Sequence, residues 1–229
     1  MFWKKKRTYL DYAAGVSGNS SSPHEEGRKA KKMLEDARTS IARLVEVQSD
    51  DVIFTSGATE ANALAILGVA KSGDHALYLP SAHASVVENM KLLVERGVEV
   101  EALPIKGWRV DCEKLKGLLK PQTKLIAMDA VCGETGVVWN TREVKQTIGE
   151  NVFLHVDASQ APMTEKITRA HFGADILTLD ASKVGEVRGI GALIEHRTLL
   201  NRYIAVADKS AGCGAGAKRP SWLDRSRPA

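Results

Sequence analysis

The sequence predicts a three-layer α/β/α domain built on a mainly parallel sheet. Three observations carry that prediction. Short apolar runs alternate with helix-like segments along residues 51–194, and strands alternating with helices make a sheet covered on both faces. Two of the runs, residues 152–156 and 176–179, read as strands buried in a parallel sheet. Each is followed by polar residues, Asp157 and Gln160 after the first and Asp180, Ser182 and Lys183 after the second. In an open α/β sheet the carboxyl edge of the strands is where ligands bind.

The elements follow in order. Residues 9–15 (Y-L-D-Y-A-A-G) form a short apolar entry segment, and the polar stretch 17–23 that follows is turn-rich. From 24 to 47, Ala30, Met33, Leu34, Ala37, Ile41, Leu44 and Val45 recur at helical spacing with charged residues opposite, which predicts an amphipathic helix. A strand at 51–55 ends in a Ser-Gly turn, and a helix opens at Ala58, Thr59 and Glu60. Further strands are expected at 75–79, 98–103, 124–128 and 191–194, with helices at 83–96, 111–119 and 141–148. There is no internal repeat.

With 229 residues the chain has room for one large domain, assigned to 8–204, and a remainder, 205–229, read as a disordered or foreign tail. The tail is rich in small and basic residues and has no usable periodicity. Hydrophobic residues make up 44% of the chain and charged ones 26%, which is ordinary for a soluble globular protein. No apolar run approaches the ~20 residues of a membrane span. The basic start lacks the apolar core of a secretory signal, so a cytoplasmic location is expected. The net charge of +4 sits at the ends, Lys4, Lys5, Lys6 and Arg7 at one and the tail at the other. Without aromatic interleaving these ends read as solvated, and no direct nucleic-acid or membrane contact is expected. Three cysteines, Cys112, Cys132 and Cys213, have no paired spacing, which argues against a disulfide framework or a zinc site.

Four places carry chemistry. At residues 55–60 (T-S-G-A-T-E) a strand turns into a helix, whose free N–H groups and dipole suit a phosphate, with Gly57 for close approach and the Thr59 hydroxyl as a further donor. The same residues would also make an ordinary tight turn. His83 opens a helix at the ligand edge, where a flat titratable ring either stacks on a cofactor and moves protons or caps the helix. Asp157 at a strand end suits a pyridine nitrogen, or a helix cap, and Gln160 lies three residues on. Lys183, between an apolar strand and the glycines Gly185, Gly189 and Gly191, is expected to be partly buried and nucleophilic toward an aldehyde. A carboxylate and a lysine converging on one edge suggest a pyridoxal phosphate (PLP) site. No G-x-G-x-x-G opens a helix after a strand, which excludes the dinucleotide fingerprint.

Together the motifs resemble the cysteine desulfurases of the class V aminotransferase group, PLP enzymes of fold type I. The matching stretches are Y-L-D-Y-A-A from Tyr9, S-P-H-x-x-G-R-x-A from Ser22, T-S-G-A-T-E-A-N from Thr55, E-T-G from Glu134, H-V-D-A-S-Q from His155, and A-S-K from Ala181 with R-G-I-G-A-L from Arg188. The resemblance spans about residues 8–204. It implies that Ala58, Thr59 and Ser182 hold the phosphate and His83 stacks on the ring. Asp157 would then pair with the ring nitrogen, Gln160 with the phenolic oxygen, and Lys183 would form the Schiff base. It further implies a PLP-dependent transferase that takes sulfur from L-cysteine, leaving L-alanine, and passes it through a persulfide to an iron–sulfur scaffold or other sulfur acceptor. A homodimer is implied as well.

This sequence departs from the pattern at Cys132 and Gly133, where the family has two asparagines, and at Asp180, where the family has a serine. It departs again at 185–189 (G-E-V-R-G). The family's small C-terminal domain and its cysteine loop are missing, so the chain is read as truncated, with weak or absent desulfurase activity. Other class V enzymes, a selenocysteine lyase or an aminotransferase, share the same cofactor residues. A non-catalytic remnant or partner-binding subunit is the reading from a different class.

Overall fold

The computed structural model describes residues 18–185 and 187–195. The entry segment at 9–15, the basic start, Glu186, Cys213 and the proposed tail at 205–229 lie outside the described residues.

The elements run α1 (Glu25–Val45), β1 (Val52–Thr55), α2 (Ala58–Val69), β2 (His75–Tyr78), α3 (Ala84–Glu95), β3 (Glu99–Ala102), β4 (Ile105–Lys106), β5 (Arg109–Val110), α4 (Cys112–Leu118), β6 (Thr123–Asp129), α5 (Thr141–Ile148), β7 (Phe153–Asp157), α6 (Arg169–Phe172), β8 (Ile176–Asp180) and β9 (Gly191–Glu195). Seven strands make one sheet in the order β1-β9-β8-β7-β6-β2-β3. The run from β8 to β3 is parallel, and β9 lies antiparallel to both β8 and β1. The sheet is thus mainly parallel, as the alternating pattern predicts.

Alternation along β6 shows how the layers form. Leu125 and Ala127 face one cluster, with Ala61, Ala65 and Ile66 of α2 and Val86, Met90 and Leu93 of α3. Ile126 and Met128 face the other, with Ala42 and Val45 of α1, Leu115 of α4, Val144 and Ile148 of α5 and Phe172 of α6. Successive strand side chains point to opposite faces, so one strand serves two cores. Each fully buried Leu or Ile contributes roughly 2 kcal/mol.

Two local expectations are corrected. Helix α1 forms, but Met33 is 71% and Leu44 59% exposed, and its buried residues are Gly27, Ala42 and Val45. Among the described residues only its last turns pack on the sheet, through Ala42 and Val45. The connection at 103–111 carries an unexpected hairpin, β4–β5, turning at Gly107 and Trp108 with φ of 57° and 63°. Those left-handed values are what a two-residue hairpin turn requires.

The β1–α2 turn is set by two glycines. Gly57 has φ 149°, and a Cβ on Gly191 of β9 would come 2.6 Å from the Gly57 carbonyl carbon. The turn therefore lies directly on β9, with the α2 N-terminus at the carboxyl edge of the sheet.

Candidate active site

Three neighbouring strands end in aspartates: β6 in Asp129, β7 in Asp157 and β8 in Asp180. Asp129 and Asp157 are register partners on parallel strands, so both side chains lie on the face covered by α2 and α3.

Asp157 is 6% exposed and well held. Its Oδ1 accepts from the Ser159 N–H at 2.9 Å and the Ser159 hydroxyl at 2.6 Å, and its Oδ2 from Asn62 Nδ2 at 2.7 Å. Asn62 also donates to Ser85 Oγ at 2.9 Å, so both acceptors require the amide nitrogen on this side. Ser85 in turn meets His83, its N–H donating to His83 Nδ1 at 3.2 Å and its hydroxyl lying 2.8 Å from the same nitrogen. Accepting at Nδ1 leaves the neutral His83 ring its N–H at Nε2. The His83 backbone N–H donates to Asp129 Oδ2 at 3.0 Å. One network thus runs from Asp157 through Asn62 and Ser85 to His83 and Asp129.

Burial pushes the Asp129 carboxyl up to about 8, the Asp157 charge adding to the effect and the His83 N–H opposing it. Its Oδ1 is buried and has no hydrogen-bond partner, which suits a protonated acid. His155, wholly buried in β7, is driven below its usual range by burial, with Asp157 opposing. Its Nε2 lies 3.0 Å from the Thr178 hydroxyl.

The second cluster surrounds the α2 N-terminus. A cavity of about 310 Å³ is lined by Ser56, Asp180, Ser182, Lys183, Arg188 and Gly189. Asp180 Oδ2 accepts from the Ala58 N–H at 3.2 Å and Oδ1 from the Ser182 N–H at 2.8 Å. Glu60 folds back on the same turn, accepting from the Ser56 N–H at 2.6 Å and its hydroxyl at 2.7 Å, and the backbone bond foremost lowers the Glu60 carboxyl. The Thr59 and Glu60 N–H groups, in the first helical turn, have no intrahelical partner by geometry.

The predicted residues therefore separate into two groups. Asp157 and His83 share the buried network, while Ala58, Ser182 and Lys183 gather with Asp180 at the cavity. Helix α2 joins them, Ala58 serving one group and Asn62, a turn later, the other. Thr59 and Gln160 are exposed on the same edge, and a Cβ on Gly133 would come 3.0 Å from Gln160 Nε2, so Gly133 makes room for that side chain. His83 also caps α3. Lys183 is exposed in the 3-10 turn Ala181–Lys183, not partly buried as expected, because Gly185 and Gly189 beyond it lie in open chain and Gly191 belongs to β9, so none of them covers it. Of the unforeseen participants, Asn62 lies in the T-S-G-A-T-E-A-N stretch, whereas Asp129 sits one residue beyond the strand predicted at 124–128.

Cys132 is buried, and its thiol is lowered chiefly by the Thr135 hydroxyl; Cys112 is partly exposed. Among the described residues there is no cluster of His, Cys, Asp and Glu that could hold a metal ion, and no helix long and apolar enough to cross a membrane.

The geometry meets PLP in two ways. Asp157 uses three of its four acceptor positions, leaving one on Oδ2 for a ring N–H, and Lys183 stands at the next strand end. The donor set fits the group at its ring and lysine ends, and Asp180 shares the phosphate end.

Comparison with known proteins points the same way. The class V aminotransferase family model matches residues 5–218. Cysteine desulfurase IscS 1 of Archaeoglobus fulgidus is 34% identical over 215 residues, covering 91% of this chain and 56% of that protein. Cysteine desulfurase IscS of Rickettsia felis is 36% identical over 191 residues, covering 80% of this chain and 47% of that protein. Among solved structures, DndA from Streptomyces lividans superposes with a TM-score of 0.70 at 33% identity, covering 83% of this chain and 55% of that one. A NifS-like protein gives 0.73 at 25% identity, covering 81% and 53%. The chain spans about half the length of the relatives it matches.

Proposed function

This chain belongs to the class V aminotransferases, and we propose that it is the PLP-binding large domain of a cysteine desulfurase-type enzyme. The observation that carries the proposal is Asp157, buried at the end of β7 with one acceptor position free, beside the turn that presents Lys183 after β8.

Each residue has a role set by its surroundings. Asp157, fixed by Asn62 and Ser159, would accept a ring N–H and favour the protonated nitrogen. Ser182, Thr59 and the α2 N-terminus receive the phosphate. His83, fixed at Nδ1 by Ser85, presents its ring to the cofactor, and Gln160 donates to the phenolic oxygen. Lys183 would supply the amine that holds the cofactor. When bound, the cofactor provides the electron sink that stabilises negative charge on the α-carbon of an amino acid.

L-Cysteine is the proposed substrate, with L-alanine as product and sulfur passed to an acceptor thiol and on to an iron–sulfur scaffold or similar protein. Of the described thiols, Cys132 is buried and Cys112 stands in the first turn of α4, after the edge strand β3 and its hairpin. Neither is assigned as the acceptor, and low desulfurase activity of this chain alone is proposed. A cytoplasmic homodimer completes the reading.

The test is an absorbance titration of the chain with PLP, then borohydride reduction and peptide mapping. A band near ~400 nm and a label at Lys183 are expected, both lost in Lys183→Ala. No band, or a label on another lysine, overturns the proposal. Comparing L-cysteine with L-selenocysteine and ordinary amino-group donors then fixes the reaction within the family.

A further inference from the structure

The phosphate end of the site already contains an anion. The Ala58 N–H, the first donor of α2, is taken by Asp180 Oδ2 at 3.2 Å, and a Cβ on Gly57 would meet that same oxygen at 3.6 Å. Asp180 and Ala58 are 122 positions apart, so the fold and not a local turn brings them together. Oδ1 is fixed in turn by the Ser182 N–H at 2.8 Å. Burial alone would raise the Asp180 carboxyl, but hydrogen bonds from Ser182 and Ala58 and the nearby Lys183 charge hold it below its ordinary value. A carboxylate seated on a helix N-terminus satisfies the same donors and dipole that would bind a phosphate.

The charges around the cavity sharpen the point. Lys183 and Arg188 line it together with Asp180, and Glu60 holds Ser56 from the other side. Among the described residues the formal charge there is balanced before any ligand arrives, so a phosphate dianion brings repulsion as well as attraction.

We propose that Asp180 is an internal stand-in for the cofactor phosphate, so that PLP must displace it and the chain distinguishes PLP only weakly from unphosphorylated pyridoxal. This rests on the cofactor reading above. The aldehyde that reaches Lys183 and the ring N–H that reaches Asp157 are the same in both compounds. Only the phosphate meets Asp180. Like charges a few ångströms apart in a partly exposed site cost at least about tenfold in affinity. A serine at 180 would remove the charge and add a donor, and an asparagine would remove the charge while keeping an acceptor for the Ser182 N–H.

The experiment titrates the full chain, Asp180→Ser and Asp180→Asn with PLP and with pyridoxal, reading bound-aldehyde absorbance and the borohydride label at Lys183. The wild-type chain is expected to prefer PLP by less than about tenfold. Both variants are expected to bind PLP at least about tenfold more tightly, with pyridoxal affinity changed by less than about twofold. A wild-type preference for PLP above about a hundredfold overturns the proposal, and needs no variant to fold. PLP labelling of Lys183 with affinity unmoved by either substitution, or PLP and pyridoxal tightening equally, overturns this proposal alone. No label from either aldehyde in any of the three proteins removes the cofactor reading, and this inference with it.

Discussion

The two ends of the candidate site handle a carboxylate in opposite ways. Asp157 lies under α2 and α3, 6% exposed, with three donors from Ser159 and Asn62. Asp180, one strand away, faces an open cavity among exposed residues and holds two backbone N–H groups. The first is part of the core, so its neighbours carry stability as well as chemistry. The second lies among charged groups in contact with water, so its neighbours carry little of the fold. Position along one sheet edge does not determine which of these a strand-end aspartate becomes; the cover above it does.

That contrast breaks if substitutions at the two ends cost the same. Asn62→Ala is the strongest probe, because it removes a buried donor to a carboxylate and leaves a gap under α3. A loss of about 3 kcal/mol in urea unfolding is expected. A loss below about 1 kcal/mol would place the network outside the stabilising core.

Next comes a pH effect at the buried end. Asp129 has a folded value of about 8, above its ordinary carboxylate value, so its contribution is complete at low pH and is lost as pH rises toward 8. His75 and His155 are both lowered, His75 chiefly by burial as well, so their opposing contributions lie below their ordinary value of 6.5. Between about 6.5 and 8, stability should therefore fall by about 1.4 kcal/mol per pH unit, near 2 kcal/mol in all. Urea midpoints across that window measure the slope, and Asp129→Asn should flatten it. A slope unchanged in Asp129→Asn would assign it to another group.

The smallest effect belongs to the open end. Glu60→Gln keeps the shape of the contact with Ser56 and removes its charge. Because the group is largely exposed, less than about 1 kcal/mol should be lost in the same assay. A larger cost would make the open end a structural part like the other.

Much of this was legible in the sequence because it is local. Apolar runs marked the strands of the main sheet, and strand-end polar residues marked the edge where the candidate site gathers. The T-S-G-A-T-E turn marked the α2 N-terminus. What escaped was long-range or depended on cover. Asn62 sits within a helix whose other residues are mostly apolar, and nothing local says that its amide meets a carboxylate 95 positions away. Asp129 closes a strand that periodicity ended at Met128, since a polar residue at a strand end reads as loop. Asp180 was visible as a departure from the family, but its bond to Ala58 exists only after β8 and α2 have docked. Lys183 and the first half of α1 were expected to be covered, and sequence patterning cannot supply the neighbours that would cover them.

Helix α2 carries one further consequence. Ala58 reaches Asp180 and Asn62 reaches Asp157, so a single helical turn sets the spacing between the two ends of the site. One residue gained or lost between them would shift the far end by about 1.5 Å along the axis and rotate it by about 100°. The hairpin connection at 103–111 faces no such demand. Over evolutionary time, then, insertions and deletions should accumulate in that connection while the five positions from 58 to 62 keep their length, whatever side chains occupy the places between.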